Sequence, residues 1–174
     1  ADAEVQGIVT AAEDRAEVLG AVPIGEITGP LQRARMSDGA TENRGGESTV
    51  GNFVAEVQRA QTPESLGGAE IAFMNPGGLR ADMTGTDGVL TYKQAAVVQP
   101  FANTLVRMEL TGAQIKQVLE EQWQPEGASR PFLRLGVSEG FSYTYDPTAA
   151  AGERIGDMWI NGVAVAPAAV YAVT

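Results

Sequence analysis

Residues 74–80, Met-Asn-Pro-Gly-Gly-Leu-Arg, join an apolar strand end to a glycine turn flanked by an amide and a guanidinium. The paired glycines Gly77 and Gly78 let a backbone come close to a ligand. Asn75 and Arg80 supply directional hydrogen-bond donors that suit polar or anionic groups. None of these residues is an obvious nucleophile or general base. The pattern indicates a binding loop, although a glycine turn with no ligand explains this segment equally well when it is taken alone.

The composition excludes several kinds of catalytic site. The 174 residues contain no histidine and no cysteine. A serine triad, a cysteine nucleophile and a histidine or thiolate metal centre are therefore impossible within these residues. Carboxylate chemistry and oxygen-ligated metals remain open. However, Glu70, Asp82 and Asp87 show no paired spacing, and we interpret them as surface charges. We expect no catalytic residue and no metal ligand in this sequence.

The net charge limits which ligands and macromolecules the chain can bind. Lys and Arg number 12 against 22 Asp and Glu, so the formal net charge is −10. This charge repels nucleic-acid backbones and anionic membranes. No apolar run approaches the roughly 20 residues that span a bilayer. We predict neither nucleic-acid binding nor a membrane span. An anionic ligand must be held by a few local arginines, of which Arg44 is one candidate; we interpret Arg107, Arg130 and Arg134 as solvated or structural charges.

The first half of the chain predicts two helices and a buried strand that ends at the loop. Ser48 begins a second apolar stripe of helical period, which stops at Pro63. The apolar run 71–74 reads as a buried strand, and ligands often bind where such strands end. Apolar residues also recur at helical spacing before Gly20, which predicts a first helix over 1–20: Val5, Ile8, Val9, Ala12, Ala16 and Leu19.

The second half is richer in strands. Residues 106–110 alternate apolar and polar side chains, and Thr111 with Gln114 has the spacing of a capping box before a helix. Asn161-Gly162 is a strong hairpin signal. Further strands are predicted at 132–135, 141–145 and 170–173. Helices and strands that mix without strict alternation predict an α+β fold, a mixed sheet with flanking helices.

Three segments in order resemble motifs of the C-terminal domain of 5'-nucleotidases. They are residues 43–53 (Asn-Arg-Gly-Gly-Glu-Ser-Thr-Val-Gly-Asn-Phe), 75–80 and 99–103 (Gln-Pro-Phe-Ala-Asn). The likeness continues at residues 110–113 and 143–146, so it covers roughly residues 20–174. Each motif alone has little specificity, and their order and spacing carry the resemblance.

The resemblance implies a longer protein in which one domain binds the substrate and another hydrolyses it. Residues 21–174 would be a nucleotide-binding domain like the 5'-nucleotidase C-terminal domain, and residues 1–20 an interdomain linker helix. An N-terminal metallophosphatase domain with a divalent metal pair would perform the hydrolysis. The partners implied are a nucleoside or nucleotide and that catalytic domain, with no cofactor in this part. The family also implies an extracellular or periplasmic location, and the isolated chain would be inactive.

The resemblance also assigns roles to individual residues. Arg44, Asn75 and Arg80 match contacts to ribose and phosphate. Phe101 matches one aromatic wall against the base, and Asn103 matches a contact at or beside the base edge. The full predicted substrate site, with the two loop glycines and a backbone approach point near residue 140, is Arg44, Asn75, Gly77, Gly78, Arg80, Phe101, Asn103 and Gly140.

The sequence departs from the family at several points. Pro76 and Ala102 stand where the family usually has glycine, and a proline narrows the conformations of the loop. The Gly-Gly-Asp-Gly-aromatic motif that supplies the second wall of the base sandwich is absent from these residues, so we expect a C-terminally incomplete domain. Two alternatives remain: a non-catalytic binding or structural module with a different ligand, and a carboxylate hydrolase, for which no paired acids are present.

Overall fold

The computed structural model describes residues 2–174, which form two compact units. One unit comprises the residues up to Gln32 together with Arg80–Ala102, and the other comprises Arg33–Leu79 and Asn103–Thr174. The helices are α1 Ala3–Gly20, α2 Thr49–Ala60, α3 Tyr92–Ala96 and α4 Gly112–Glu120. The strands are β1 Pro23–Glu26, β2 Phe73–Met74, β3 Val89–Thr91, β4 Met108–Thr111, β5 Gly136–Val137, β6 Phe141–Tyr145, β7 Ile155–Ile160, β8 Val163–Ala164 and β9 Val170–Val173.

The first unit contains α1, the antiparallel pair β1–β3 and α3. Asp2 caps α1 by accepting hydrogen bonds from the backbone of Glu4 and Val5, which confirms the first predicted helix over Ala3–Gly20. The helix packs against α3 at Gly20, where an added Cβ would lie 2.8 Å from the Cβ of Lys93. Most of the predicted apolar stripe of α1 is nevertheless exposed to solvent, so contact with α3 buries only its C-terminal end.

The second unit contains the two-stranded pairs β2–β5 and β4–β9, which a parallel bridge just before β2 joins. β5 pairs with β2 and β4 pairs with β9, both antiparallel, while Ile71 pairs with Val173 in a parallel bridge. Thr174 N donates to Ile71 O at 3.0 Å, and Phe73 N donates to Thr174 O at 2.9 Å. The predicted α+β fold with a mixed sheet is therefore confirmed.

A second sheet, β6–β7–β8, supplies much of the core. Its β7–β8 turn has Asn161 at φ 50° and Gly162 at φ 79°, as the Asn-Gly signal predicts. The capping box of Thr111 and Gln114 starts α4, whose apolar face packs into the same core. The buried core residues are Ile71, Ile115, Leu119, Phe141, Ile155, Met158, Ile160 and Val173.

Helix α2 lies close to β5 because glycines face each other. Ser48 caps α2 by accepting a hydrogen bond from Gly51 N at 3.0 Å. A Cβ at Gly136 would lie 2.9 Å from the Cα of Gly51 and would overlap its carbonyl group. Asn52 adds a bond across the same contact, since its Oδ1 accepts from Val137 N at 3.1 Å. The spacing between α2 and the sheet thus depends on the absence of a side chain at Gly136.

The predicted strand over 132–135 is wrong, since regular pairing begins only at Gly136. The backbone of this segment is bonded elsewhere: Leu133 N donates to Gln122 O, and Arg134 N donates to Arg44 O, each at 2.8 Å. Leu135 N donates to the side chain of Gln122 at 2.9 Å. Loop carbonyls and one side chain therefore take the donors that a strand partner would have accepted.

Gly136→Ala should lower the free energy of unfolding by about 1–3 kcal/mol, because the new methyl group meets backbone that cannot rotate away. Gly25→Ala is the matched control: Gly25 also lies in a strand, and its Cβ would meet nothing within 4 Å. Urea denaturation of both variants measures the difference. Equal stability of the two variants would contradict the close packing of α2 on β5.

Candidate functional site

The turn after β2 is a short 3₁₀ helix over Pro76–Gly78. Gly78 N donates to Asn75 O at 3.1 Å, and Leu79 N donates to Pro76 O at 3.3 Å. Pro76 occupies the first position of this helical turn, where a proline loses no hydrogen bond and its fixed φ suits the helix. The proline that departs from the family pattern is therefore compatible with the turn.

Arg44 reaches this turn from the loop before α2. Its Nη1 lies 3.5 Å from the position that a Cβ on Gly77 would occupy, and Nδ2 of Asn75 lies 3.3 Å from the same position. The Nε of Arg44 donates to Oε2 of Glu42 at 3.0 Å, which fixes the direction of the guanidinium. The structure thus brings an amide and a guanidinium together over a glycine that leaves room for them.

These residues form one wall of a cavity of about 270 Å³, here called the Arg44–Asn75 cavity. Its other wall comes from the end of α4 and the segment after it. The lining residues are Arg44, Asn75, Pro76, Gly77, Val118, Glu121, Gln122, Gln124, Leu133 and Leu135. The cavity has apolar sides and a few converging polar groups, the composition typical of small-molecule sites.

Gln122 holds the second wall in place. Its side chain is 2% exposed. Nε2 donates to Leu119 O at 2.8 Å, and Oε1 accepts from Leu135 N at 2.9 Å. The phenol of Tyr143 lies 3.4 Å from the same amide. Gln122 therefore joins the end of α4 to residues 133–135 across the back of the cavity.

Two predicted site residues, Arg80 and Phe101, lie in the first unit. The guanidinium carbon of Arg80 lies 5.9 Å from the centre of the Phe101 ring, within the range of a cation–π contact. Phe101 is 53% exposed, so its ring is not a core residue. The next residue, Ala102, has φ 52°, a left-handed conformation that glycine adopts at no steric cost.

The remaining predicted residues do not line the Arg44–Asn75 cavity. Gly78 belongs to its turn, and a Cβ there would press against the side chains of Met74 and Asn75. Asn103 is exposed in the loop before β4. Gly140, at φ 83°, accepts a hydrogen bond from Asn161 N at 2.8 Å and lies against the β7–β8 turn. The structure places Arg44, Asn75 and Gly77 around one cavity; the ligand contacts of all eight residues stay predictions.

Sequence reasoning missed the second wall. Glu121, Gln122 and Gln124 belong to a polar run that carries no motif, and Leu133 and Leu135 lay in a wrongly predicted strand. The one sequence signal near this wall is the helical spacing of apolar residues in α4, which ends shortly before Gln122. The position of these residues opposite Asn75 follows from tertiary packing.

Comparison with known proteins decides the family. Residues 23–174 match a family profile described as 5'-nucleotidase, C-terminal domain. The chain belongs to this 5'-nucleotidase C-terminal domain family. The match spans all three motifs that carry the sequence resemblance and so confirms it.

Individual members of the family show the same relation. The chain is 36% identical over 126 residues to the trifunctional nucleotide phosphoesterase protein YfkN of Bacillus subtilis, a match to 71% of this chain and 8% of that protein. It is 33% identical over 106 residues to the cell wall protein Lmo0130 of Listeria monocytogenes, covering 59% of this chain and 13% of the relative. A 5'-nucleotidase precursor from Thermus thermophilus superposes with TM-score 0.75 at 28% identity, over 97% of this chain and 32% of that one.

The chain therefore spans between 8% and 32% of the length of these family members. Within residues 2–174 no three His, Cys, Asp or Glu side chains are grouped so that they could hold a metal ion. The helices over the same residues include none whose length and hydropathy meet the demands of a membrane span.

Gln122→Leu should lower the free energy of unfolding by about 1–3 kcal/mol, because it leaves Leu135 N without its acceptor and removes one of the two donors to Leu119 O. The control is Gln117→Leu on the exposed face of α4, where the lost bond to Glu121 costs at most about 0.5 kcal/mol. Guanidinium denaturation gives both values. If the two variants unfold at the same denaturant concentration, Gln122 does not anchor the second wall.

Proposed function

We propose that this chain is the nucleoside- or nucleotide-recognition part of a metal-dependent 5'-nucleotidase-type phosphohydrolase. The convergence of Arg44, Asn75 and Gly77 on one cavity, in a chain of this family, is the observation that carries the proposal. The relatives named as nucleotide phosphoesterase and 5'-nucleotidase support the class of ligand.

The polar groups of the Arg44–Asn75 cavity suit a sugar that bears hydroxyl groups and an anion. Arg44 donates in a planar fork, which matches phosphate oxygens. Asn75 both donates and accepts, and Glu121 accepts hydrogen bonds, as ribose hydroxyls require. In a chain of net charge −10, this local guanidinium is what makes an anionic ligand acceptable.

Phe101 in the first unit is the proposed contact for a nucleobase. Its exposed ring can stack on a planar heterocycle, and one such contact contributes about 1–3 kcal/mol per base. The cation–π contact with Arg80 holds a positive charge beside the ring. Asn103, as a contact to the base edge, and Gly140, as a backbone approach point, complete the proposed assignment.

The chain by itself is proposed to lack hydrolytic activity. The family resemblance implies a divalent metal pair, but the residues described here offer no group of ligands that fits it. No step of hydrolysis is therefore assigned to these residues, and the metal pair is proposed to belong to a partner domain of the same protein. A cell wall relative and a precursor among the matches support an extracellular or periplasmic location.

A second candidate function is a non-catalytic module for another ligand. Pro76 replaces a glycine of the family motif, and the ion pair with Glu42 already occupies one edge of Arg44. Both observations favour a turn that has been adapted to a different small molecule.

Arg44→Ala should weaken AMP binding to the 174-residue chain about tenfold or more, since a hydrogen bond from a charged group is lost. Asn75→Ala should cost about two- to tenfold for the loss of a neutral bond. Arg15→Ala, which removes an exposed arginine of α1, is the control for net charge and should bind like the parent. Calorimetric titration measures the three affinities. If Arg15→Ala and Arg44→Ala lose equal affinity, the cavity is not the binding site.

The same titration separates the two candidate functions. Adenosine, AMP and a uridine nucleotide are compared on the parent chain and on Phe101→Ala. A nucleoside site predicts weaker binding by Phe101→Ala for ligands that carry a base. Identical behaviour of the two proteins favours the module with another ligand.

The purified chain should release no phosphate from AMP in the presence of manganese, zinc or cobalt, because it has no histidine and no metal-ligand group among the described residues. A colorimetric phosphate assay, run beside a mock purification from the same host, measures this. Turnover that rises with chain concentration and exceeds the mock sample would overturn the proposed inactivity.

A further inference from the structure

A second cavity, of about 200 Å³, lies beside Arg44 and is lined by polar and apolar side chains. Its basic lining residues are Arg44 and Arg130, its neutral polar ones include Asn43 and Ser129, and Met36 and Phe132 provide apolar surface. We call it the Arg130 cavity. It shares Arg44 with the Arg44–Asn75 cavity, whereas Arg130, Ser129 and Phe132 line only the Arg130 cavity of the two.

The charge around the Arg130 cavity is opposite to that of the whole chain. Glu42 is the carboxylate on its wall, and it is already paired with Arg44 at 3.0 Å and with Arg33 at 3.4 Å. Arg44 and Arg130 thus place two positive charges on the lining of this cavity against the one carboxylate of Glu42. In a chain of net charge −10, this local excess of positive charge favours an anion.

The position of Arg130 is set by its loop, and not by a hydrogen bond or ion pair of its guanidinium. Its side chain makes no hydrogen bond or ion pair within residues 2–174. The loop that carries it is closed at its base, where Gln124 N donates to Pro131 O at 2.9 Å and the ring of Phe132 packs 4.5 Å from that of Trp123. Arg130 is exposed to solvent, so its guanidinium, which has no protein partner within residues 2–174, is available to a ligand beside this cavity.

The size and chemistry of the cavity define its ligand. A volume of about 200 Å³ has room for a small anion such as phosphate. Guanidinium groups bind phosphate oxygens in a fork, and the hydroxyl of Ser129 and the amide of Asn43 can donate to the remaining oxygens. We infer that the Arg130 cavity is a phosphate site, distinct from the Arg44–Asn75 cavity. This inference does not depend on the proposed nucleotide function.

The test is a titration of the 174-residue chain with inorganic phosphate, followed by the ¹⁵Nε–¹Hε signals of its arginine side chains. The signal assigned to Arg130 should move in a saturable manner. Arg130→Ala should weaken phosphate binding about tenfold or more, and Arg130→Lys should lie between, because lysine keeps the charge without the planar fork. Arg15→Ala removes the same charge from α1 and should bind phosphate like the parent.

Phenyl phosphate in a parallel titration identifies the source of the phosphate group. Tighter binding than inorganic phosphate indicates a monoester whose organic part contacts Phe132 and Met36, and equal binding indicates the free ion; both results support the site. Because the Arg130 side chain has no partner to lose, near-ultraviolet circular dichroism of Arg130→Ala should match the parent. An Arg130 signal that does not move, or equal loss of affinity in Arg15→Ala and Arg130→Ala, overturns the inference.

Discussion

The parallel pairing of residues 70–73 with β9 is the constraint on which the second unit depends. It joins segments about a hundred residues apart and buries both Ile71, at 0% exposure, and Val173, at 3%. The short strand β2 pairs with β5 on one side, and on its other side Phe73 N donates to Thr174 O just after β9. The turn over Pro76–Gly78 follows β2 directly, so it lies at the end of this strand pairing.

The segment 133–137 connects this strand pairing to the walls of the Arg44–Asn75 cavity. Its backbone contacts Gln122, the carbonyl of Arg44 and, at Gly136, the backbone of α2. One stretch of chain therefore sets the distance between the end of α4, the Arg44 loop and β2. The Arg44–Asn75 cavity is the space that these fixed distances leave open, and its volume depends on backbone bonds of residues that also line it, Gln122, Leu133 and Leu135.

The proposed recognition of an anion relies on local charge rather than on overall charge. The acidic surface repels anions in general, while Arg33, Arg44 and Glu42 form a cluster whose carboxylate orients the guanidinium of Arg44. The same fold can support other ligands if these side chains change, because a fold positions a site without specifying its chemistry. The proposed nucleotide ligand therefore rests on particular residues, Arg44 and Asn75 foremost, together with the family to which the chain belongs.

The sequence by itself determined the local elements and the family. Short-range signals could be predicted because their hydrogen bonds close within a few residues. They are the cap at Ser48, the capping box at Thr111 and the turn at Asn161-Gly162. The ordered motifs identified the family for a similar reason, since each is contiguous. Tertiary structure alone decided that Gln122 and Leu135 form the opposite wall, and that residues 132–135 are not a strand, because competing long-range partners took their backbone donors. The sequence indicated only a surface charge at Arg130. The tertiary structure places Arg130 with Arg44 on the lining of a second cavity.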